Sequence, residues 1–130
     1  MRSKAPSGPS SKSAHAAEDI VLRYYRLVDA RDFNGMAELF SVDVIYRRPG
    51  YETMVGLEQM LNYYKLVRVI ESGKHDIRTV LSDGIQVAVT GTFYGTVKDC
   101  GDVSQDFADF FSVSDGRISA RSTYFDSPAI

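Results

Sequence analysis

The chain has 130 residues, 44% of them hydrophobic and 25% charged, which fits one soluble globular domain with a core of moderate size. Its formal net charge is −2, and residues 1–14 hold three basic residues and no acid, so the remainder carries 12 basic against 17 acidic residues and nucleic-acid binding there is disfavoured. A single cysteine, Cys100, excludes an internal disulfide, no apolar run approaches the roughly 20 residues of a membrane span, and no secretory leader is evident, so a cytoplasmic location is expected.

Residues 1–14, "MRSKAPSGPSSKSA", are rich in Ser, Pro, Gly and Lys and are expected to form a disordered tail, with one folded domain over 15–130. From His15 onward, Ile20, Val21, Tyr24, Tyr25 and Val28 recur at helical spacing. Glu18 and Asp19 stand near that start, where the helix dipole favours acids. A second short helix carries Phe33, Met36, Leu39 and Phe40 on one face. Asp43 to Arg48 reads as a strand that ends in Arg47, Arg48 and the turn Pro49-Gly50. A third helix follows Gly56, with Leu57, Met60, Leu61, Tyr64 and Val67 on one stripe.

The period then changes to two. Residues 75–81, 85–98, 104–113 and 117–125 read as strands, separated by "SDG", "DCGD" and "SDG", hairpin turns that supply Asp and Gly where positive φ is needed. Helices first and an antiparallel meander second predict an α+β fold. Three N-terminal helices would pack on a strongly curved, mostly antiparallel sheet, as in a cone-shaped barrel, with Gly91 and Gly95 easing the bend. Alternation puts Phe107, Asp109, Phe111 and Val113 on one inward face. It puts Tyr94 and Phe110 on the outer face, where exposed aromatics predict a homodimer.

This layout resembles the nuclear transport factor 2-like superfamily, which includes ketosteroid isomerase, SnoaL-like polyketide cyclases, limonene epoxide hydrolase and scytalone dehydratase. The matching stretches are "RYYRLVDARDFNGMAELFSVDVIYRRPG", the Gly56–Met60 opening of the third helix, and "FADFFSVSDGRISARSTYFD", together covering roughly residues 16–127. Similarity to the isomerase implies that Tyr24 is a pocket phenol and Asp109 a carboxyl group held neutral by Phe107 and Phe111 so that it can donate to an oxyanion; the neutral carboxyl group of that isomerase is a known example of such tuning. The isomerase's catalytic base, an aspartate before a proline, is here Arg48 before Pro49, and a guanidinium cannot accept a proton. Similarity to the epoxide hydrolase places Tyr46 at its water-holding tyrosine and Arg48 at its asparagine. That enzyme's last-strand acid is Thr123 here, and its Arg-x-Asp pair falls near Gly91 and Phe93, so its Asp-Arg-Asp apparatus is absent. Asp126 is a possible counterpart of the late acid of the SnoaL-like cyclases.

Each of these residues also has a plainer reading. Tyr24 is either a core aromatic or a hydrogen-bond donor. Arg48 and Arg121 either orient a substrate carboxylate or carbonyl, or sit in water; Arg121 also has the option of an internal ion pair with Asp109. Arg121 shares a strand face with Ser119, Thr123 and Phe125, which the resemblance turns toward the cavity together with Tyr46, Phe93 and Phe111. His75 is either a structural histidine or, with Arg48 in the base's place, the remaining acid–base group near neutral pH. His15 and His75 lie too far apart, without a Cys pair, to suggest a metal site, and no phosphate loop or nucleophile elbow occurs.

The expected activity is cofactor-free acid–base chemistry on a small, apolar, oxygenated molecule, whether isomerisation, cyclisation, dehydration or ring opening. Tyr24 and Asp109 would hold developing charge, His75 would move the proton, and natural-product biosynthesis would be the setting. The alternatives are an epoxide hydrolase with a rearranged site and a non-catalytic ligand-binding or dimerisation module. An open cavity where His75, Tyr24 and Asp109 converge favours an enzyme. A cavity filled by side chains, with Arg121 and Asp109 paired, favours a binding module.

Overall fold

A computed structural model describes residues 8–127, with side chains from His15 onward. Helix α1 spans Gly8–Asp29 and so begins well before His15. Residues 8–14 of the expected tail belong to this helix, residues 1–7 lie outside the described part, and Glu18 and Asp19 fall inside the helix rather than in its first turn. Ala17, Val21, Tyr24, Tyr25 and Val28 form its buried stripe. Helix α2, Phe33–Ala37, is capped by Asp32, whose carboxylate accepts the Gly35 N–H at 2.9 Å, and it buries Phe33 and Met36. Phe40, expected on that helix, instead opens strand β1, Phe40–Arg47.

Strand β2, Met54–Val55, is too short to show a period in the sequence; it pairs antiparallel with β1. Helix α3, Leu57–Asn62, starts at Gly56, whose φ of 93° no residue with a Cβ adopts without strain. A π-helical turn, Tyr63–Val67, then extends it. The wider turn buries Tyr63 and Tyr64 together and leaves Val67 exposed, so the expected stripe ends at Tyr64.

Strands β3 (Ile70–Ser82), β4 (Gln86–Val97), β5 (Gly101–Ser114) and β6 (Arg117–Phe125) form the antiparallel meander. Two of its turns, Asp99–Gly101 and Asp115–Gly116, place Asp and Gly at positive φ, as their composition requires. Strand β3 begins five residues earlier than its hydrophobic pattern indicates, because "ESGK" is polar edge sequence that pairs through its backbone with the end of β4. The sheet order is β2-β1-β6-β5-β4-β3, with β1 and β6 parallel. Register shifts in three of its ladders mark the irregularities where such a sheet coils. Gly91 serves close approach, since a Cβ there would meet the Asp76 carbonyl oxygen at 2.3 Å.

The fold is thus the expected α+β cone, although its helical segments number four when the π-helical turn is counted. The inner sheet face buries Val87, Val89, Phe93, Phe107, Phe111 and Ile118 against Val21, Tyr24, Tyr25 and Val28 of α1. The same face carries Asp109 and Arg121, fully enclosed.

Candidate functional site

The inward parity of β5 and β6 brings Asp109 and Arg121 together in the middle of the core. Asp109 is 0% exposed and Arg121 4%. Arg121 Nε donates to Asp109 Oδ1 at 3.2 Å and Nη2 to Oδ2 at 2.9 Å, a bidentate pair. Tyr25 from α1 donates to Oδ2 at 2.5 Å, and Thr123 donates to Oδ1. Burial pushes the Asp109 carboxyl group up, but the Arg121 charge and these hydrogen bonds outweigh it and hold the group below the usual carboxylate range. The neutral, donating Asp109 implied by the isomerase resemblance is therefore replaced by an ionised acceptor. Phe107 and Phe111 do supply a dry setting, but a guanidinium inside that setting stabilises the charged form. Of the three roles open to Arg121, the structure has the internal ion pair.

The remaining nitrogen of Arg121, Nη1, faces three phenols. It donates to Tyr64 at 2.8 Å, to Tyr46 at 3.1 Å and to Tyr24. Tyr24 and Tyr64 bond each other at 2.5 Å. These two side chains carry two phenolic protons and their mutual bond takes one; the other has no acceptor among the described residues. Burial raises the Tyr24 phenol despite Arg121 and raises Tyr64 to about 12, so both stay protonated donors at neutral pH. Tyr46 behaves differently. Burial pushes it up, but it lies between Arg121 and Arg48, whose charges bring it below an ordinary phenol.

Arg48 is 8% exposed, while its neighbour Arg47 points outward into solvent. The Arg48 guanidinium lies over the rings of Phe125 at 5.1 Å and Tyr63 at 5.6 Å and donates to Tyr46 at 3.3 Å. Burial alone would lower its pKa, but the surrounding phenols raise it, so it stays a cation.

His75 sits within β3 rather than at its start. Asp29, the last residue of α1, grips it twice: Oδ2 accepts the His75 backbone N–H at 2.8 Å, and Oδ1 contacts Nδ1 at 2.6 Å. The ring packs among Tyr25, Phe93 and Phe107 with centroids 4.9, 4.9 and 5.3 Å away. Burial lowers the imidazole pKa and Asp29 restores only part of it, so the net shift is downward. A neutral ring whose Nδ1–H donates to Asp29 presents Nε2 as its lone-pair atom, and Nε2 has no hydrogen-bond partner among the described residues.

One cavity joins these groups. Tyr24, Arg48, Phe93, Asp109, Arg121, Phe125 and His75 all line it, with Tyr64, Arg68, Ile70, Phe107 and Thr123. It has about 20 Å³ of free space, enough for one water. Tyr46 and Phe111 do not line it. Tyr46 reaches it through Arg48 and Arg121, and Phe111 packs beneath Arg121 and against Tyr24 and Tyr25. Asp126 is exposed. Tyr25, Asp29, Tyr64 and Arg68 belong to no motif that marks a site. Tyr25 follows Tyr24 on the buried helix stripe and Tyr64 lies on that of the third helix, so periodicity marked both without assigning a role. Nothing local marks Asp29, which is one of many surface-type acids until β3 crosses the end of α1. Among the described residues no three His, Cys, Asp or Glu side chains gather as a metal set.

Comparison with solved structures gives the same fold. The chain resembles an LEH-like epoxide hydrolase of Mycobacterium tuberculosis (22% identity, TM-score 0.76, covering 87% of this chain and 84% of that one). It resembles a provisionally named polyketide cyclase from Silicibacter sp. TM1040 (23%, TM-score 0.74, 84% and 88%). A protein of ketosteroid isomerase-like fold from Catenulispora acidiphila, solved with trimethylamine, is similar at 20% identity and TM-score 0.73 over 81% and 83% of the two chains. No curated protein sequence matches it significantly. The SnoaL-like domain model matches residues 21–121, which run from the buried stripe of α1 to the arginine at the centre of the cone, and the chain belongs to that family.

Proposed function

We propose that this protein is a cofactor-free enzyme that moves a proton on a small oxygenated molecule, with His75 as the base. The observation that carries this reading is the Asp29–His75 pair: a buried, neutral imidazole held in one tautomer by a carboxylate, in the same cavity as phenolic donors and a guanidinium. Such an orienting carboxylate fixes which nitrogen accepts the proton. In this reading Nε2 takes a proton from carbon next to a carbonyl group, and the C–H electron pair moves onto the carbonyl oxygen. The surplus proton of the Tyr24–Tyr64 pair and the Arg48 cation stabilise that oxygen as it becomes negative. Return of the proton to a different carbon gives isomerisation; loss of hydroxide from the β-carbon, protonated by the imidazolium, gives dehydration. Asp109 stays ionised throughout and positions Arg121, which positions the phenols. The resemblance places the hydrolase's Arg-x-Asp pair near Gly91 and Phe93 and its last acid at Thr123, so its Asp-Arg-Asp set has no counterpart in this reading.

Two features favour a second reading, a ligand-binding module without catalysis. The free space of about 20 Å³ and the Arg121–Asp109 pair are what a filled, structural core requires, and a substrate enters only if lining side chains move. A cytoplasmic homodimer, joined through the outer sheet face, fits both readings, and a place in natural-product biosynthesis follows from the family alone. The test is turnover of α,β-unsaturated ketones and β-hydroxy ketones. His75→Gln is expected to lower kcat at least a hundredfold with KM little changed, and Asp29→Asn about tenfold. Wild-type activity that survives His75→Gln refutes the assignment.

A further inference from the structure

Inward positions of a curled sheet normally carry side chains that fill the core, yet β3 and β4 present two glycines there side by side. Gly73 pairs with Gly95 across the ladder. A Cβ on Gly73 would lie 2.2 Å from Phe93 Cζ, and one on Gly95 2.5 Å from the same atom. Both distances are far inside hard contact, so the Phe93 ring occupies the volume that two side chains would take. That ring lines the central cavity and packs 4.9 Å from the His75 ring. The His75 side chain is only 9% exposed, and its Nε2 has no partner among the described residues. An acceptor without a protein partner, beside a nearly filled apolar recess, is open to a ligand atom or a water.

We propose that Phe93 is the specificity-determining plug of this cavity, and that the Gly73–Gly95 pair floors a flat subsite beside His75 that takes a planar six-membered ring bearing an oxygen. The inference rests on the small-molecule reading above and adds the shape of the substrate to it. The ring of Phe93 turns about its Cα–Cβ bond, and the slot it leaves has the outline of an aromatic ring. Its volume is on the order of 100 Å³, near the size of an apolar cavity that takes up benzene. Glycine is required twice because any Cβ on the floor refills the slot. A ring hydroxyl or carbonyl at its edge then lies next to the imidazole.

The test is a ¹⁹F NMR titration with 4-fluorophenol of the wild-type protein, Phe93→Ala, Phe93→Leu and the double variant Phe93→Ala/Gly95→Val. Phe93→Ala is expected to bind the probe at least tenfold more tightly than wild type, with Phe93→Leu between them. Gly95→Val, which puts a side chain back on the floor, is expected to return the double variant to the wild-type affinity. Equal binding by wild type and Phe93→Ala overturns the proposal, as does a double variant that binds as tightly as Phe93→Ala. If Phe93→Ala does not unfold cooperatively, the Phe93→Leu comparison decides. Failure of the proton-transfer reading would appear instead in the kinetics of His75→Gln, which the ring titration does not measure.

Discussion

Replacing Arg121 with methionine tests the central claim about this core, that a buried ion pair organises it. Methionine keeps much of the length that packs Arg121 over Tyr24, Tyr46 and Phe111, with ring distances of 4.7, 4.8 and 5.5 Å. The change removes the charge and leaves the Asp109 carboxyl group, 0% exposed, with Tyr25 and Thr123 alone. Removing one partner of such a pair costs about 3–5 kcal/mol, because the other charge stays in low dielectric. For a domain of this size that is a fall in Tm of roughly 10–20 °C. Asp109→Leu strands Arg121 in the same way and is expected to cost a similar amount. The double variant Arg121→Met/Asp109→Leu has no buried charge left to strand, so it is expected to recover at least about 2 kcal/mol of the summed single losses. Urea unfolding followed by circular dichroism measures all four corners of the cycle. Single variants within 1 kcal/mol of wild type, or a double variant equal to the sum of the singles, would refute the reasoning.

Two further outcomes follow from the same geometry. The folded His75 pKa lies below its unfolded value of about 6.5, so as the pH falls through that value the unfolded chain binds a proton that the folded chain does not. Thermal stability should therefore be complete above that pH and decline below it, before the separate loss below about pH 4 when the depressed Asp109 protonates; His75→Gln should flatten the upper part of that decline, and an unchanged profile would contradict the burial argument. On the outer sheet face Tyr94, Phe110 and Tyr124 are 50%, 50% and 57% exposed, with Phe110 and Tyr124 packed edge to face at 5.8 Å. Phe110→Glu is expected to convert a dimer to a folded monomer in sedimentation equilibrium, and a wild-type protein that is already monomeric at tens of micromolar would rule out this surface as a dimer interface.

Much of the site was legible as parity. Period-two alternation put Asp109 and Phe111 on an inward face, and the family resemblance turned the face of Arg121 and Thr123 toward the cavity. Alternation along "YRR" sends Arg47 and Arg48 to opposite faces, and the structure shows Arg47 to be the solvated one and Arg48 the enclosed one. The identity of the partners was not legible, because a strand pattern says which way a side chain points and not what it meets. Asp109 read as a neutral donor from the resemblance and became an ionised acceptor once Arg121, two rungs away on the neighbouring strand, was placed against it. The burial of Tyr63 beside Tyr64 escaped a helical wheel because the π-helical turn changes the angle between successive residues. The helix start moved to Gly8 because low-complexity composition is a statement about average propensity.

By itself the sequence determined the class of fold and the order of its main helices and long strands, since these depend on local periodicity and turn chemistry. Only the tertiary structure decided the protonation states and the pairings. Those depend on distances between side chains far apart in the chain: Asp29 and His75, Tyr25 and Asp109, and Arg121 with three tyrosines from three different elements. Electrostatic energy in a dry core varies steeply over a few ångströms, a scale on which sequence spacing carries no information.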